Sequence, residues 1–184
     1  MELVKFVRAR PGQLNYGSAA AGTTSHMGAE LLKYVGKLDI VRVPFRGAAS
    51  ALNALLSGQV HVIFLGGATA VTQIEAKRVR VLAVAAAESS SIFPGVPTMT
   101  EAGLPGVEFT ALSGMFALAR TPQAIVNLLS QEIARIMQRP EVKSRFTAVA
   151  SEAVGSTHAA FAAAMRDEVN RFEKVIRSAG IRDE

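Results

Sequence analysis

The sequence predicts an α/β fold, built on a parallel sheet with helices on its faces. Short β-branched runs such as "DIVRVPF" and "VHVIFL" alternate along the chain with stretches of helical periodicity. Glycines mark the passage from several predicted strands to the helices that follow, and strands that alternate with helices pair in parallel. At 184 residues with 49% hydrophobic content, the chain can bury the core of one domain or of two small ones.

The first half has a regular order of elements. "QLNYG" is predicted as a strand that leads to a helix ended by Gly36, and "DIVRVPF" as a strand that leads to a helix ended by Gly58. "VHVIFL" leads to a shorter helix, and "VRVLAVA" is a further apolar strand. The opening residues, "MELVKFVRAR", also have a helical pattern. The apolar residues at helical spacing are Met27, Leu31, Tyr34, Val35, Leu52, Leu55, Leu56, Val71 and Ile74.

The second half differs. Residues 89–106, "SSSIFPGVPTMTEAGLPG", predict a crossover because Ser, Pro and Gly disfavour regular structure. A strand at "LSGMFALA", a helix from Thr121 with Pro122 in its first turn, a short helix from Pro140 and a strand at "SEAV" follow. A long amphipathic helix then runs from about His158 to Ser178. Its apolar stripe comprises Phe161, Met165, Val169, Phe172, Val175 and Ile176. We expect this stripe to be buried, on its own chain or against a partner.

Composition and charge exclude several kinds of protein. The net charge is +5, but Lys and Arg are scattered and few aromatic residues lie among them, so we predict no nucleic-acid partner. No run of about 18 apolar residues indicates a membrane span, and "MELVKFVRAR" lacks the pattern of a secretory signal peptide. Because the chain has no cysteine, disulfides, thiol nucleophiles and cysteine-bound metals are excluded.

The segment "NYGSAAAGTTSHMGAEL" predicts an anion site at the start of a helix. Gly17 and Gly22 have the spacing of a phosphate loop, but Thr23 stands where nucleotide binding needs a lysine. The helix N-terminus still offers unpaired N–H groups and the positive end of its dipole, and Thr23, Thr24 and Ser25 add hydroxyls. Such a site suits a carboxylate without a metal. The alternative is that Thr24 or Ser25 only caps the helix.

Two further strand exits are marked by glycine, Gly47 after "VPFR" and Gly66 with Gly67 after "VIFL". Ligands of parallel sheets bind outside the carboxyl ends of the strands, so these exits predict a ligand-binding rim. For any single glycine the alternative is an ordinary turn. Arg46 lies at a strand exit, where it would clamp a carboxylate unless it is an ordinary surface arginine. Alternation places Arg42 in mid-strand at a solvated position.

The residues predict no catalytic or metal site. His26, His61 and His158 are far apart, and although His26 and Glu30 share a helix face, two such residues do not make a metal site. Ser18 lies beside a glycine without a G-x-S-x-G turn. His61 fits a satisfied sheet residue, and His158 the first turn of the last helix. Because no reactive group with an orienting partner emerges, we expect neither an enzyme nor a cofactor.

Several segments together resemble the Bug-type, or TctC-like, receptors of tripartite tricarboxylate transporters. They are "RPGQLNYGSAAAGTTSHMGAELL", "IVRVPFRGAASALNALLSGQV", "RVLAVAAAESSSIFPGVPTMTEAGLPGVEF" and "VGSTHAAFAAAMRDEVNRFEKVIRSAGI". The match runs in order over nearly the whole chain. Several motifs in order are more specific than any one of them.

The resemblance implies a periplasmic, two-domain binding protein of the type II, Venus-flytrap fold, with its ligand in the cleft. Residues 1–107 would form one complete parallel-sheet lobe that binds ligand, and residues 108–184 the returning C-terminal part of the other lobe. Gly22 to Ser25 would belong to the carboxylate-binding loop, and Gly47 and Ala48 to a neighbouring ligand loop. The full predicted ligand-binding set is Ser18, Gly22, Thr23, Thr24, Ser25, Arg46, Gly47, Ala48, Gly66 and Gly67.

Two departures from the family pattern matter. "VHVIFLGG" has His61 and Leu65 where many members have acidic residues, which weakens the case for an amino group on the ligand. Family members also continue upstream, with a signal peptide and a "PPGGGxD"-like loop, so the chain resembles a receptor that lacks its N-terminal part.

We therefore predict a solute-binding receptor that captures a small carboxylic acid for the membrane components of a tripartite tricarboxylate transporter. The alternatives are a ligand-sensing regulatory domain, an inactive truncated receptor, or a phosphoryl-transfer or hydrolase enzyme built on the opening loop. The absence of a helix-turn-helix segment counts against the regulator, and the missing lysine and nucleophile count against the enzyme. A homo-oligomer or a complementing N-terminal segment stays open as a partner.

Overall fold

The computed structural model of the chain describes residues 2–90, 93–109, 111–149 and 151–181. The described residues form two compact units. Unit 1 holds residues as far as 109 together with 172–181, and unit 2 runs from 111 to 171. The predicted boundary between residues 107 and 108 stays a prediction, because packing units need not coincide with family domains.

Unit 1 contains the alternation of strands and helices that the sequence predicts. Its elements are α1 Glu2–Ala9, β1 Asn15–Ser18, α2 Thr24–Gly36, β2 Val41–Pro44, α3 Ala48–Leu56, β3 Val62–Ile63 and α4 Gly67–Glu75. The three strands form one parallel sheet in the order β2-β1-β3, with Tyr16 opposite both Arg42 and Val62. Since all strands point the same way, their carboxyl ends lie along one edge. The α/β prediction is confirmed.

Unit 2 contains α5 Gln123–Met137, α6 Pro140–Ala148 and most of α7 His158–Ala179. The predicted helices are confirmed, and Gly180 ends α7 with a left-handed φ of 64°. Pro122 precedes α5 instead of lying within its first turn. At the end of α2 the left-handed residue is Lys37, at φ 50°, while Gly36 is the last helical residue.

The core of unit 1 joins residues from both ends of the described chain. Val7, Tyr16, Val107 and Val175 are among its most deeply buried side chains. Phe172 belongs to the same core and meets the edge of the Phe109 ring, with the ring centroids 5.0 Å apart. The apolar stripe of α7 is thus divided: Phe172 and Val175 are buried in unit 1, Phe161 and Met165 are half-buried, and Val169 and Ile176 are exposed.

Three predicted strands, "VRVLAVA", "LSGMFALA" and "SEAV", are wrong. In the first, the backbone of Val84 bonds to Pro97 and Met99, and the Ala85 carbonyl accepts the N–H of Phe109. Its hydrogen bonds therefore go to the crossover and to Phe109 instead of to a strand of the sheet. The other two segments have no ladder partner among the described residues, and β-propensity without a neighbouring strand does not form a strand. Residues 91 and 92 of the predicted crossover lie outside the described residues.

Candidate functional site

The predicted site residues follow the carboxyl ends of the parallel strands. Ser18 ends β1, the loop of residues 19–23 leads to α2, residues 45–47 lead from β2 to α3, and residues 64–66 lead from β3 to α4. We call residues 19–23 the β1–α2 loop. Because the three strands are parallel neighbours, their exits lie on one edge of the sheet. That edge is where open α/β sheets bind ligands.

The β1–α2 loop is held together by its own hydroxyls. Ser25 Oγ accepts the N–H of Ala19 at 3.0 Å, and Thr23 Oγ1 donates to the Ala20 carbonyl at 2.7 Å and lies 3.3 Å from Ser25 Oγ. Gly22 has a left-handed φ of 75°, which favours glycine. Thr23 and Ser25 therefore use their hydroxyls to shape the loop.

The groups left for a ligand are those of the first turn of α2. The N–H groups at the start of an α-helix lack carbonyl partners within the helix and carry the positive end of its dipole. Thr24 is exposed, and its hydroxyl bonds to no residue in the described part of the chain. Thr24 and the N–H groups beside it, directly after the β1–α2 loop, are free donors with respect to the residues that the structure describes.

Ser18 is completely buried, and its hydroxyl is bonded to Arg42. The prediction that Arg42 lies at a solvated position is therefore wrong. Arg42 donates through Nε to Ser18 Oγ at 2.8 Å and through Nη2 to the Ala19 carbonyl at 3.0 Å. Alternation along a strand gives the face of a residue but ignores the length of an arginine, which here reaches the exit of the neighbouring strand. Arg42 thus supports the β1–α2 loop, and the Ser18 hydroxyl is already bonded to the protein.

The second strand exit offers a charge instead of a backbone donor. Arg46 is exposed and makes neither a hydrogen bond nor an ion pair with the residues that the structure describes. The N–H of Gly47 is used by Ser50 Oγ at 3.2 Å, and its φ of −176° is open to any residue. Ala48 is the exposed first residue of α3.

At the third strand exit, glycines leave the backbone open to a ligand. Gly66 is exposed, precedes α4 and has no atom within 4 Å of where a Cβ would stand. Its carbonyl accepts the N–H groups of Thr69 and Ala70. Gly67 begins α4, so a ligand could approach the start of that helix closely.

The structure contains a buried polar cluster close to the β1–α2 loop that the sequence analysis did not predict. Tyr16 Oη donates to Glu30 Oε1 at 2.5 Å, and Lys33 Nζ donates to the same oxygen at 2.8 Å. Burial, followed by the Glu30 carboxylate, raises the pKa of Tyr16. The available signal was the helical spacing of Glu30 and Lys33, which sets them on one face.

His26 belongs to this cluster and contacts the loop directly. Its side chain is buried, and Nδ1 accepts the N–H of Gly22 at 3.2 Å. Burial, followed by the Arg42 charge, lowers the pKa of His26 below its ordinary value of 6.5. A groove of about 610 Å³ is lined by residues that include His26, Glu30, Lys33 and Arg42.

The other singled-out residues have structural places. Gly17 lies inside β1, where a Cβ would come within 3.2 Å of Ile63 and Val60, so it permits close packing and is not part of the loop. His61 is exposed just before β3 and bonds Asn15. In the described part of the chain there is no group of three or more His, Asp or Glu suited to a metal, and no helix has the length and apolar character to cross a membrane.

Solved structures of periplasmic binding proteins share this fold. The chain superposes on R. palustris Rpa4515 with adipate at a TM-score of 0.87 and 31% identity, covering 98% of this chain and 60% of that one. It superposes on MatC (Rpa3494) from Rhodopseudomonas palustris with bound malate at a TM-score of 0.82 and 31% identity, covering 95% and 60%. The chain therefore has the type II α/β fold of periplasmic binding proteins.

Sequence comparison gives the family. The model of the "Tripartite tricarboxylate transporter family receptor" matches residues 1–181, and the chain belongs to this family of receptors, which are not enzymes. The UPF0065 protein of the tcbD-tcbE intergenic region in Pseudomonas sp. (strain P51) is 32% identical over 176 residues, 95% of this chain and 52% of the relative. BugT of Bordetella pertussis is 28% identical over 178 residues, 97% and 55%. The chain spans about half the length of these relatives.

Proposed function

We propose that the chain is part of a periplasmic solute receptor that captures a small carboxylic acid for the membrane components of a tripartite tricarboxylate transporter. The observation that carries this proposal is the free first turn of α2 at the exit of β1. Two 31% identical neighbours, solved with adipate and with malate, support this class of ligand. Residues 1–107 would supply the ligand-binding lobe, and residues 108–184 the returning part of the other.

The chemistry of the rim favours a carboxylate. The N–H groups of residues 24–26 and the Thr24 hydroxyl are donors at the positive end of a helix dipole, where an anion is stabilised without a metal. The Arg46 guanidinium adds a positive charge at the next strand exit. Since Thr23 and Ser25 already hold the β1–α2 loop in shape, little conformational entropy would be lost when a ligand binds.

The same rim favours acids without an amino group. An ammonium group needs a carboxylate or several carbonyl oxygens as its partner. The predicted ligand-binding set contains no Asp or Glu, and Leu65 stands at the third strand exit. We therefore expect dicarboxylates such as adipate and malate to bind better than their amino-substituted analogues.

Titration calorimetry tests the proposal on the chain as it stands. Adipate and malate are titrated in parallel with ATP and magnesium, and saturable binding of a carboxylate but not of ATP is expected. Replacement of Thr24 by alanine should cost about 1–3 kcal/mol of binding free energy if its hydroxyl bonds the ligand. Thr72→Ala, an exposed threonine on α4, is the matched control. Saturable ATP binding without carboxylate binding contradicts the proposal.

Arg46 is tested separately because it acts through charge. Arg46→Ala should weaken carboxylate binding more at low salt than at moderate salt, since the interaction of exposed charges is screened. Arg80→Ala, another exposed arginine, controls for the change in net charge. If Arg46→Ala and the parent bind equally at both salt concentrations, Arg46 is an ordinary surface arginine.

A further inference from the structure

We propose that His26 is a positioning residue: by accepting the N–H of Gly22 it fixes the β1–α2 loop in its binding shape, so ligand affinity falls when His26 takes up a proton. The inference rests on the proposed carboxylate site. His26 is buried, and its Nδ1 is used by the N–H of Gly22. Its effect on binding is therefore indirect, through the loop.

His26 makes a hydrogen bond to the β1–α2 loop, whereas the N-cap residue of α2 makes no capping hydrogen bond through its side chain. Thr23 occupies the N-cap of α2, but its side chain makes no cap hydrogen bond and turns instead to the Ala20 carbonyl. The bond from Gly22 N–H to His26 Nδ1, at 3.2 Å, ties the loop to the first turn of the helix. Gly22 is exposed and left-handed. Because glycine has the widest backbone freedom, this residue needs such a restraint most.

Only one protonation state of His26 can make this bond. Nδ1 accepts a hydrogen bond when it is unprotonated, whereas both ring nitrogens of the imidazolium are donors. Protonation would set one donor against the N–H of Gly22, and an unpaired donor in a partly buried place is costly. The β1–α2 loop then loses its link to α2.

The surroundings keep His26 neutral near pH 7. Arg42 on β2 and Lys33 on α2 oppose a positive charge on the ring, while Glu30 on α2 favours one. Glu30 is itself engaged by Tyr16 of β1 and by Lys33. Residues 178–181, which also line the groove, contribute no titratable side chain. The effects of burial and of the two cations outweigh that of Glu30, so the pKa of His26 lies below 6.5. We therefore expect the loss of ligand affinity at mildly acidic pH.

The test compares His26→Asn with the parent chain. Asn Oδ1 occupies a place near that of Nδ1 and accepts a hydrogen bond, but it does not titrate. Adipate affinity is measured by calorimetry between pH 7.5 and pH 4.5. Below the pKa of His26, the parent should lose up to about tenfold in affinity per pH unit relative to His26→Asn, since one proton must leave for each ligand bound. Titration of adipate itself affects both proteins equally.

His26→Ala removes the acceptor at every pH. It should bind adipate about tenfold more weakly than the parent at pH 7.5, with the pH profile of His26→Asn. His61→Asn, a matched change of an exposed histidine, should keep the affinity and pH profile of the parent. Circular dichroism checks that each variant is folded.

The outcomes separate this inference from the proposed function. If the parent and His26→Asn have the same pH profile, the inference is wrong while the carboxylate site stands. If no protein binds a carboxylate at pH 7.5, the proposed function fails. Amide exchange of Gly22 decides the role of His26 in the loop without any ligand: protection in the parent and in His26→Asn but not in His26→Ala supports it, and equal exchange in all three overturns it.

Discussion

Removal of the Tyr16 hydroxyl is the sharpest test of the buried cluster. Tyr16 and Glu30 are 1% and 6% exposed, and Tyr16 Oη donates to Glu30 Oε1 at 2.5 Å. Tyr16→Phe keeps the ring in the core but removes the hydroxyl that bonds Glu30. Lys33 then remains as the partner of the Glu30 carboxylate among the described residues. A hydrogen bond to a charged group contributes about 1.5–3 kcal/mol. We therefore expect the free energy of unfolding to fall by about 2 kcal/mol.

Urea denaturation measures this loss directly. With an m value of about 2 kcal/mol per molar urea, a loss of about 2 kcal/mol lowers the midpoint by about 1 M. Tyr34→Phe is the matched control, because Tyr34 is 48% exposed and exposed substitutions usually change stability by less than about 0.5 kcal/mol. A midpoint for Tyr16→Phe within about 0.2 M of the parent, at that m value, refutes the reasoning.

The same variant predicts an alkaline effect. The pKa of Tyr16 is raised by burial and by Glu30 above its ordinary value of 10.0, so its neutral hydroxyl stabilises the fold fully below pH 10. This contribution is lost as the pH rises above 10, and the midpoints of the parent and Tyr16→Phe should converge there. In Tyr34→Phe, Tyr16 is the sole tyrosine of the chain, so tyrosinate absorbance follows it alone. A midpoint difference that stays constant to pH 11 contradicts this assignment.

Three further variants have expected outcomes. Gly28→Ala places a Cβ 2.8 Å from Phe64 Cδ1 and should lower the free energy of unfolding by about 1–3 kcal/mol. Adding Phe64→Leu to the Gly28→Ala variant should restore part of this loss. An unchanged urea midpoint for Gly28→Ala would argue against the close contact. Arg42→Met removes the guanidinium that holds the exit of β1 and should weaken adipate binding about tenfold in calorimetry, whereas unchanged binding would mean that the loop keeps its shape without Arg42. Phe172→Ala should cost about 3–5 kcal/mol in urea because it empties a core position, while Val169→Ala on the exposed side of α7 should change stability little; equal losses would contradict the division of the stripe.

Local patterns predicted the elements of unit 1 because these patterns act over short distances. The glycine near each strand exit and the helical spacing after it identify β1 with α2 and β2 with α3 without knowledge of the rest of the chain. The three wrong strands are errors of pairing. "VRVLAVA" has the same apolar character as the true strands, but its backbone bonds go to Pro97 and Met99, and no local pattern encodes that choice.

The candidate site shows the same limit at the level of side chains. The sequence placed Thr24 and Ser25 at the start of α2, yet it could not separate their tasks. Ser25 is turned inward to the N–H of Ala19, while Thr24 is free among the described residues. That difference depends on the path of the loop. Likewise, the contact of Arg42 with the exit of β1 depends on the strand order, which puts β2 beside β1.

The burial of Phe172 and Val175 in the core of unit 1 has a consequence for the order in which the protein can be made. The other members of that core, including the partly buried ones, lie between Leu3 and Phe109, apart from Ile181. During translation, which adds about 5–20 residues per second, these earlier residues emerge first and wait on the order of seconds for α7. During that interval the apolar surface that Phe172 and Val175 cover in the finished unit has no cover from these two side chains. Unit 1 can therefore complete its core only after α7 has been made.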